Sequence, residues 1–257
     1  MNIWLMIILA SVIGACLGSF LNVLVFSWKH DISLVNRRSF CIECEEKVPW
    51  YHNIPIISFL ILGGKCSKCN AKISWQYLLV ELWLAVAFGG VVWLENYLGF
   101  SWELIRDGML LFVMTFIFVY DLKYQLIPDR VTIPAIILFL AGYIFFGWNS
   151  PEDILIGILV GGGFFLAQFL ISKGRWIGGG DIRLGVLMGI ILGWPQIILG
   201  LFLAYVVGAV ISLFLIAFKD KKFASKTPFG TYLVFGTLVA HFFSQKIIDW
   251  YFSLVLF

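Results

Sequence analysis

Apolar residues in this chain do not alternate with polar ones; they run in long stretches separated by short polar breaks. The breaks predict helices near 3–27, 76–94, 104–121, 131–148, 152–172, 181–193, 195–218 and 229–247. A bilayer core takes about 20 apolar residues per helix, so the pattern is that of an all-α polytopic membrane protein with about eight transmembrane helices. The first run lacks a basic start and exceeds the roughly 7–15 residues of a signal-peptide core, so it is expected to stay as an anchor. The segment at 181–193 is short. A helix of that size rises about 20 Å against a core of about 30 Å, so either the preceding glycines dip in or Asp181 lies below the headgroups. A polar insert at 28–75 is the one long interruption, and it divides the chain into an anchor (1–27), the insert (28–75) and a membrane-embedded remainder (76–257).

Composition sharpens this picture. Hydrophobic residues make up 61% of the 257 positions and charged residues only 13%, against about 45–50% and about 25% in soluble domains. A net charge of +3 gives no case for nucleic acid as a partner. The placement of the charges says more. With eight spans, the connections 28–75, 122–130, 173–183 and 219–228 share one side, and they hold every Lys and Arg except Arg106 and Lys246. Cytoplasmic loops collect basic residues. Those connections therefore face the cytoplasm, and both termini face out.

Two acidic residues stand at span ends on that cytoplasmic side. Asp121 closes the third span in FIFVYDLKYQLIPD, and Asp181 opens the sixth in GGGDIRLGVLMG. An Asp at a helix N-terminus is also a common cap, so for Asp181 the structural and functional readings both stay open. Asp121 sits at a helix C-terminus, where the dipole disfavours negative charge; stability did not ask for it there. Gly185, Gly189 and Gly193 follow Asp181 at steps of four, which predicts a closely packed neighbouring helix on that face. The run Gly178-Gly179-Gly180 could cradle a phosphate, but the Asp after it would repel the anion and no Lys-Ser/Thr follows. Two carboxylates from different helices can instead share a proton, one activating water and the other protonating a carbonyl or leaving amine. By helix position, Asp181 is expected to begin ionised and Asp121 protonated.

The insert carries Cys41-Ile-Glu-Cys44 and Cys66-Ser-Lys-Cys69. Each C-x2-C pair offers two thiolates from one tight turn, and four complete a closed tetrahedral zinc site. Disulfides are disfavoured on the cytoplasmic side. A closed site leaves no open position, so zinc would serve to fold the insert. Cys16, alone in the first span, is expected to be a packing residue. The lone histidines His52 and His241 are expected to be structural, and His30 to face the headgroups.

These residues together resemble the prepilin peptidases, or type IV leader peptidases, over nearly the whole chain. The resemblance is carried by GSFLNV at 18–23, both C-x2-C pairs, NIP at 53–55, Ser58, WQYLLVE at 75–81, DLKYQLIPD at 121–129, GGGD at 178–181 and TPFGTYL at 227–233. The chain departs from the family pattern at LVFSWKH after GSFLNV, at Cys41-Ile42 where Cys-Pro is usual, and at Thr227 before Pro228. The resemblance implies an aspartyl endopeptidase that removes the leader of type IV prepilins and pseudopilins after a glycine, with Asp121 and Asp181 as its catalytic pair within a peptidase domain at 76–257. It also implies S-adenosylmethionine-dependent N-methylation of the new N-terminus, the activity that goes with the cysteine-bearing insert. The sequence has no glycine fingerprint for that nucleotide, so residues binding it are not assigned. Asp129 matches the pattern as well; its plain role is a loop cap or a partner for Arg130. Prepilin or pseudopilin helices are the implied partners.

Two rivals remain. In a membrane transporter, buried carboxylates serve as ion sites, usually near the midplane and with repeat symmetry; here they lie near one face and no repeat is evident. A methyltransferase without proteolysis is the other, and the intact sequence around both aspartates argues against it. The tail from Ile248 to Phe257 is apolar enough to lie along the outer interface.

Overall fold

The structure, a computed structural model, describes residues 2–32, 39–97, 99–218 and 227–255. Arg37, Arg38, Lys219, Lys221, Lys222 and Lys226, all used to orient the chain, lie outside the described residues. Among those described there is no β-strand. Helices α1 (Ile3–Lys29), α2 (Ile57–Ile61), α3 (Trp75–Leu94), α4 (Trp102–Tyr124), α5 (Asp129–Phe146), α6 (Pro151–Ser172), α7 (Gly179–Leu192), α8 (Gln196–Phe218) and α9 (Phe229–Val255) follow in order. All but the short α2 coincide with the eight predicted segments. By length and composition, α1, α3, α5, α6 and α8 are apolar enough to cross a membrane. The others depart from a plain span in different ways. Helix α4 carries Glu103, Arg106, Asp107, Asp121 and Lys123, α7 has only 14 residues, and α9 continues as helix through most of the tail expected to lie flat.

The chain forms two compact units, Met1–Phe116 and Ile117–Phe257. In the first, α1 packs along α3 because glycines remove the side chains that would hold the backbones apart. A Cβ on Gly14 would strike the Leu84 carbonyl, and one on Gly18 would stand 2.8 Å from Glu81 Cα. Between these helices the insert makes two matching turns. Cys41 N–H donates to Glu46 O and Glu45 N–H to Cys41 O; Cys66 N–H donates to Ala71 O and Asn70 N–H to Cys66 O. Each turn puts the residue four beyond its first cysteine, Glu45 or Asn70, in the left-handed region.

In the second unit, α7 packs against α5, α6, α8 and α9. A helix enclosed on all sides must be apolar all round, and from Leu184 to Leu192 only Val186 escapes full burial. The expected close neighbour of its glycine face is α6: Gly185 and Gly189 press backbone to backbone on Gly161 and Gly157. Gly193 continues that face, 3.1 Å from where a Gly157 Cβ would sit, and also ends the helix with φ +66°. Helices α8 and α9 approach in the same way through Gly200 and Gly236.

Candidate functional site

Asp121 lies in the last turn of α4, where its carbonyl accepts the Gln125 N–H at 2.7 Å. Its side chain is buried, and Oδ2 accepts the Thr231 N–H at 3.0 Å. Thr231 is the third residue of α9, so Asp121 satisfies one of the free N–H groups that open that helix, as an N-cap would. Pro228, which precedes the helix, has no side-chain acceptor of its own to offer. The carboxylate comes this close because position 230 is glycine. A Cβ there would lie 2.9 Å from Asp121 Oδ2 and 3.1 Å from Cγ.

Asp181 is the third residue of α7, and its Oδ2 reaches back to accept the Gly178 N–H at 2.8 Å. This is the returning half of a capping box. Asp181 is near enough to act electrostatically on Asp121. Ile127 fills the space between their supports: its Cβ lies 2.9 Å from where a Gly180 Cβ would sit, and its Cδ1 3.2 Å from one on Gly230. The segment after Asp121, the glycines before Asp181 and the start of α9 thus meet around one side chain. Asp181 also acts electrostatically on Tyr205 of α8, whose hydroxyl hydrogen-bonds Gln168 of α6 at 2.9 Å.

This geometry corrects one expectation. Sequence position alone put Asp121 at an unfavourable dipole end, but folding brings the positive end of α9 onto its carboxylate. Asp121 therefore meets the positive end of α9 as well as the negative end of its own helix, and helix position alone no longer assigns the ionised and the protonated partner. Asp129 opens α5 and pairs with Arg183 at 2.8 Å, where the sequence reading had offered Arg130. Ile127, Gly230 and Thr231 lie within the DLKYQLIPD and TPFGTYL stretches of the resemblance, but their contact with the aspartates shows only once the helices pack.

The four cysteine sulfurs Cys41, Cys44, Cys66 and Cys69 lie within 4.8 Å of one another. Tetrahedral coordination with Zn–S bonds of about 2.3 Å needs sulfurs about 3.8 Å apart, and Cys41 and Cys69 stand at 3.8 Å. The cluster is compatible with a zinc ion. Backbone N–H groups of Cys69 and Lys68 lower the Cys66 thiol to about 6. The Ala71 N–H favours the Cys69 thiolate, but desolvation and the neighbouring thiols outweigh it and push that thiol up to about 12. Without a cation, one thiolate opposes the next; a divalent ion reverses that preference.

Two family models match the chain: the bacterial peptidase A24 N-terminal domain over residues 12–94, and the type IV leader peptidase family over residues 108–213. A prepilin leader peptidase/N-methyltransferase of Pseudomonas aeruginosa is 30% identical, covering 91% of this chain and 89% of the relative. Proteins of the same name from Stutzerimonas stutzeri (31% identical; 94% and 92% covered) and Vibrio cholerae (32%; 73% and 78%) are similar too. No solved structure matches.

Proposed function

The chain belongs to the type IV leader peptidase family, and from that premise we propose that Asp121 and Asp181 are the catalytic pair with which it cleaves prepilins. It is a bifunctional prepilin leader peptidase and N-methyltransferase, and its apolar helices fit an inner-membrane protein. The observation that carries the assignment is the convergence of two carboxylates from separate helices, each tied by one oxygen to a backbone N–H. A carboxylate has about four acceptor sites, so that tie fixes the group while leaving capacity for water and substrate.

In the mechanism this supports, the apolar helix of a prepilin or pseudopilin enters beside α4 and α7, and its leader junction reaches the aspartates at the cytoplasmic boundary. Eight crossings with both termini outside give that orientation. A glycine before the cut lets the extended backbone approach without a side-chain clash. One carboxylate removes a proton from water, whose oxygen attacks the scissile carbonyl; the other protonates the carbonyl oxygen and then the leaving amine. Because the two interact, their titration belongs to the pair. Zinc held by Cys41, Cys44, Cys66 and Cys69 would fix the fold of the insert. S-adenosylmethionine supplies the methyl group for the second activity.

The test is intact mass spectrometry of a full-length prepilin incubated with the purified protein in lipid. A product trimmed after glycine, gaining about 14 Da when S-adenosylmethionine is present, is the expected result. An untrimmed prepilin in the presence of folded protein would overturn the reading.

A further inference from the structure

A second carboxylate site lies in the first unit, away from the cleavage chemistry in sequence and in unit. Glu81 of α3 is only 7% exposed. Its Oε2 accepts the Ile56 N–H at 2.7 Å, and the Ser19 side chain of α1 lies beside the same carboxylate. One turn away on the same two helices, Asn22 Nδ2 donates to Gly18 O and to Tyr77 O, both at 3.2 Å, and Gln76 Nε2 donates to Asn22 Oδ1 at 3.3 Å. Ile56 itself has φ +64°, a conformation costly for a β-branched residue. In the same segment His52 keeps Nδ1 buried without a hydrogen-bond partner among the described residues. Polar side chains of α1 and α3 and the Ile56 N–H thus meet along the packed face of two apolar helices.

A structural role does not account for the charge. Glutamine could also accept the Ile56 N–H, if more weakly than a carboxylate, and burying an amide costs far less than burying a carboxylate. Both groups beside Glu81 are neutral, and among the described residues no basic side chain pairs with it. Among those residues, then, a buried carboxylate stands without the cation that a buried charge calls for. Resting on the bifunctional reading above, we propose that Glu81 binds the primary ammonium group newly exposed at the N-terminus of the cleaved substrate, the methyl acceptor. An α-amine has an ordinary pKa of about 8 and arrives charged. The ammonium nitrogen passes a proton to a Glu81 oxygen, and its freed lone pair bonds the methyl carbon of the sulfonium donor. The carbon–sulfur bond breaks with its electrons on sulfur, and the proton leaves Glu81 for water. Asn22, braced by Gln76, ties the Gly18 and Tyr77 carbonyls of the two helices, so that the carboxylate keeps its place.

The experiment compares wild type, Glu81→Gln and Glu81→Asp in lipid by two readouts. The first is cleavage and methylation followed separately by intact mass. The second is equilibrium binding, without S-adenosylmethionine, of the mature N-terminal peptide with a free or an acetylated amine. Wild type should prefer the free amine by about tenfold or more, the range of one charge-assisted hydrogen bond, and Glu81→Gln should lose that preference. Methylation should fall at least as far in Glu81→Gln and recover partly in Glu81→Asp, while cleavage continues. Equal binding of the two peptides by wild type would overturn the proposal. So would unchanged methylation by Glu81→Gln, or parallel loss of cleavage and methylation, which marks a folding role. A preference that persists in Glu81→Gln while S-adenosylhomocysteine binding drops would place the cofactor's amine there and also overturn it. If wild type cleaves but never methylates, the bifunctional reading fails, and the peptide comparison still decides what Glu81 binds.

Discussion

Replacing Gly230 by alanine perturbs the aspartate pair without touching either aspartate. The new Cβ would lie 2.9 Å from Asp121 Oδ2, 3.1 Å from Cγ and 3.2 Å from Ile127 Cδ1, whereas ordinary contact begins at 3.4 Å. The carboxylate must therefore retreat by about 0.5 Å, the margin within which catalytic groups are held. Retreat from Gly230 also strains the bond to Thr231, the next residue, which now measures 3.0 Å. A misplacement of about 1 Å can cost on the order of a hundredfold in rate, so about tenfold lower kcat is expected for half that shift. Stability should move the other way, because alanine in a helix is favoured over glycine by about 0.5–1 kcal/mol. The assay is prepilin cleavage beside thermal unfolding, with Gly163→Ala as control; a Cβ on Gly163 meets nothing within 4 Å. Cleavage by Gly230→Ala within about twofold of wild type, at equal or higher Tm, would refute the placement of Asp121 in the reaction.

Three further outcomes follow from other contacts. Gly161→Ala drives a methyl group into the Gly185 carbonyl, and overpacking of that kind costs about 1–3 kcal/mol; unfolding in detergent should show it, and cleavage should fall only with the folded fraction. Asp129→Asn breaks a half-exposed pair with Arg183 worth about 0–1 kcal/mol, so cleavage kinetics should stay within about tenfold of wild type. Cys44→Ser, or chelation, should remove about one zinc per chain by elemental analysis and open residues 39–73 to limited proteolysis; an insert equally protected without metal would contradict the folding role.

The helical segments could be read from the sequence because each is a run of apolar residues whose length the bilayer sets. The cysteine cluster was legible for a similar reason: each pair is local, and only the two turns have to meet. Asp121 shows where such reading stops. Its dipole environment was inferred from its own helix, but the group that holds it is Thr231, 110 residues later. For Asp129 the sequence offers a loop cap or a pairing with Arg130; its ion pair with Arg183, 54 positions on, needs α5 and α7 to meet. Glu81 closes the WQYLLVE stretch of the resemblance, which gives it no role; the Ile56 N–H that meets it comes from 25 positions earlier. Local spacing reports what one helix presents; which helix end a side chain meets is decided by packing between helices.

The most direct test of the aspartate pair is cleavage of one prepilin by wild type, Asp121→Asn and Asp181→Asn, each confirmed folded in lipid and followed by intact mass. The account predicts a trimmed product from wild type and none from either variant, while methylation of a pre-cut substrate continues in both. Substantial trimming by either asparagine variant would contradict the pair.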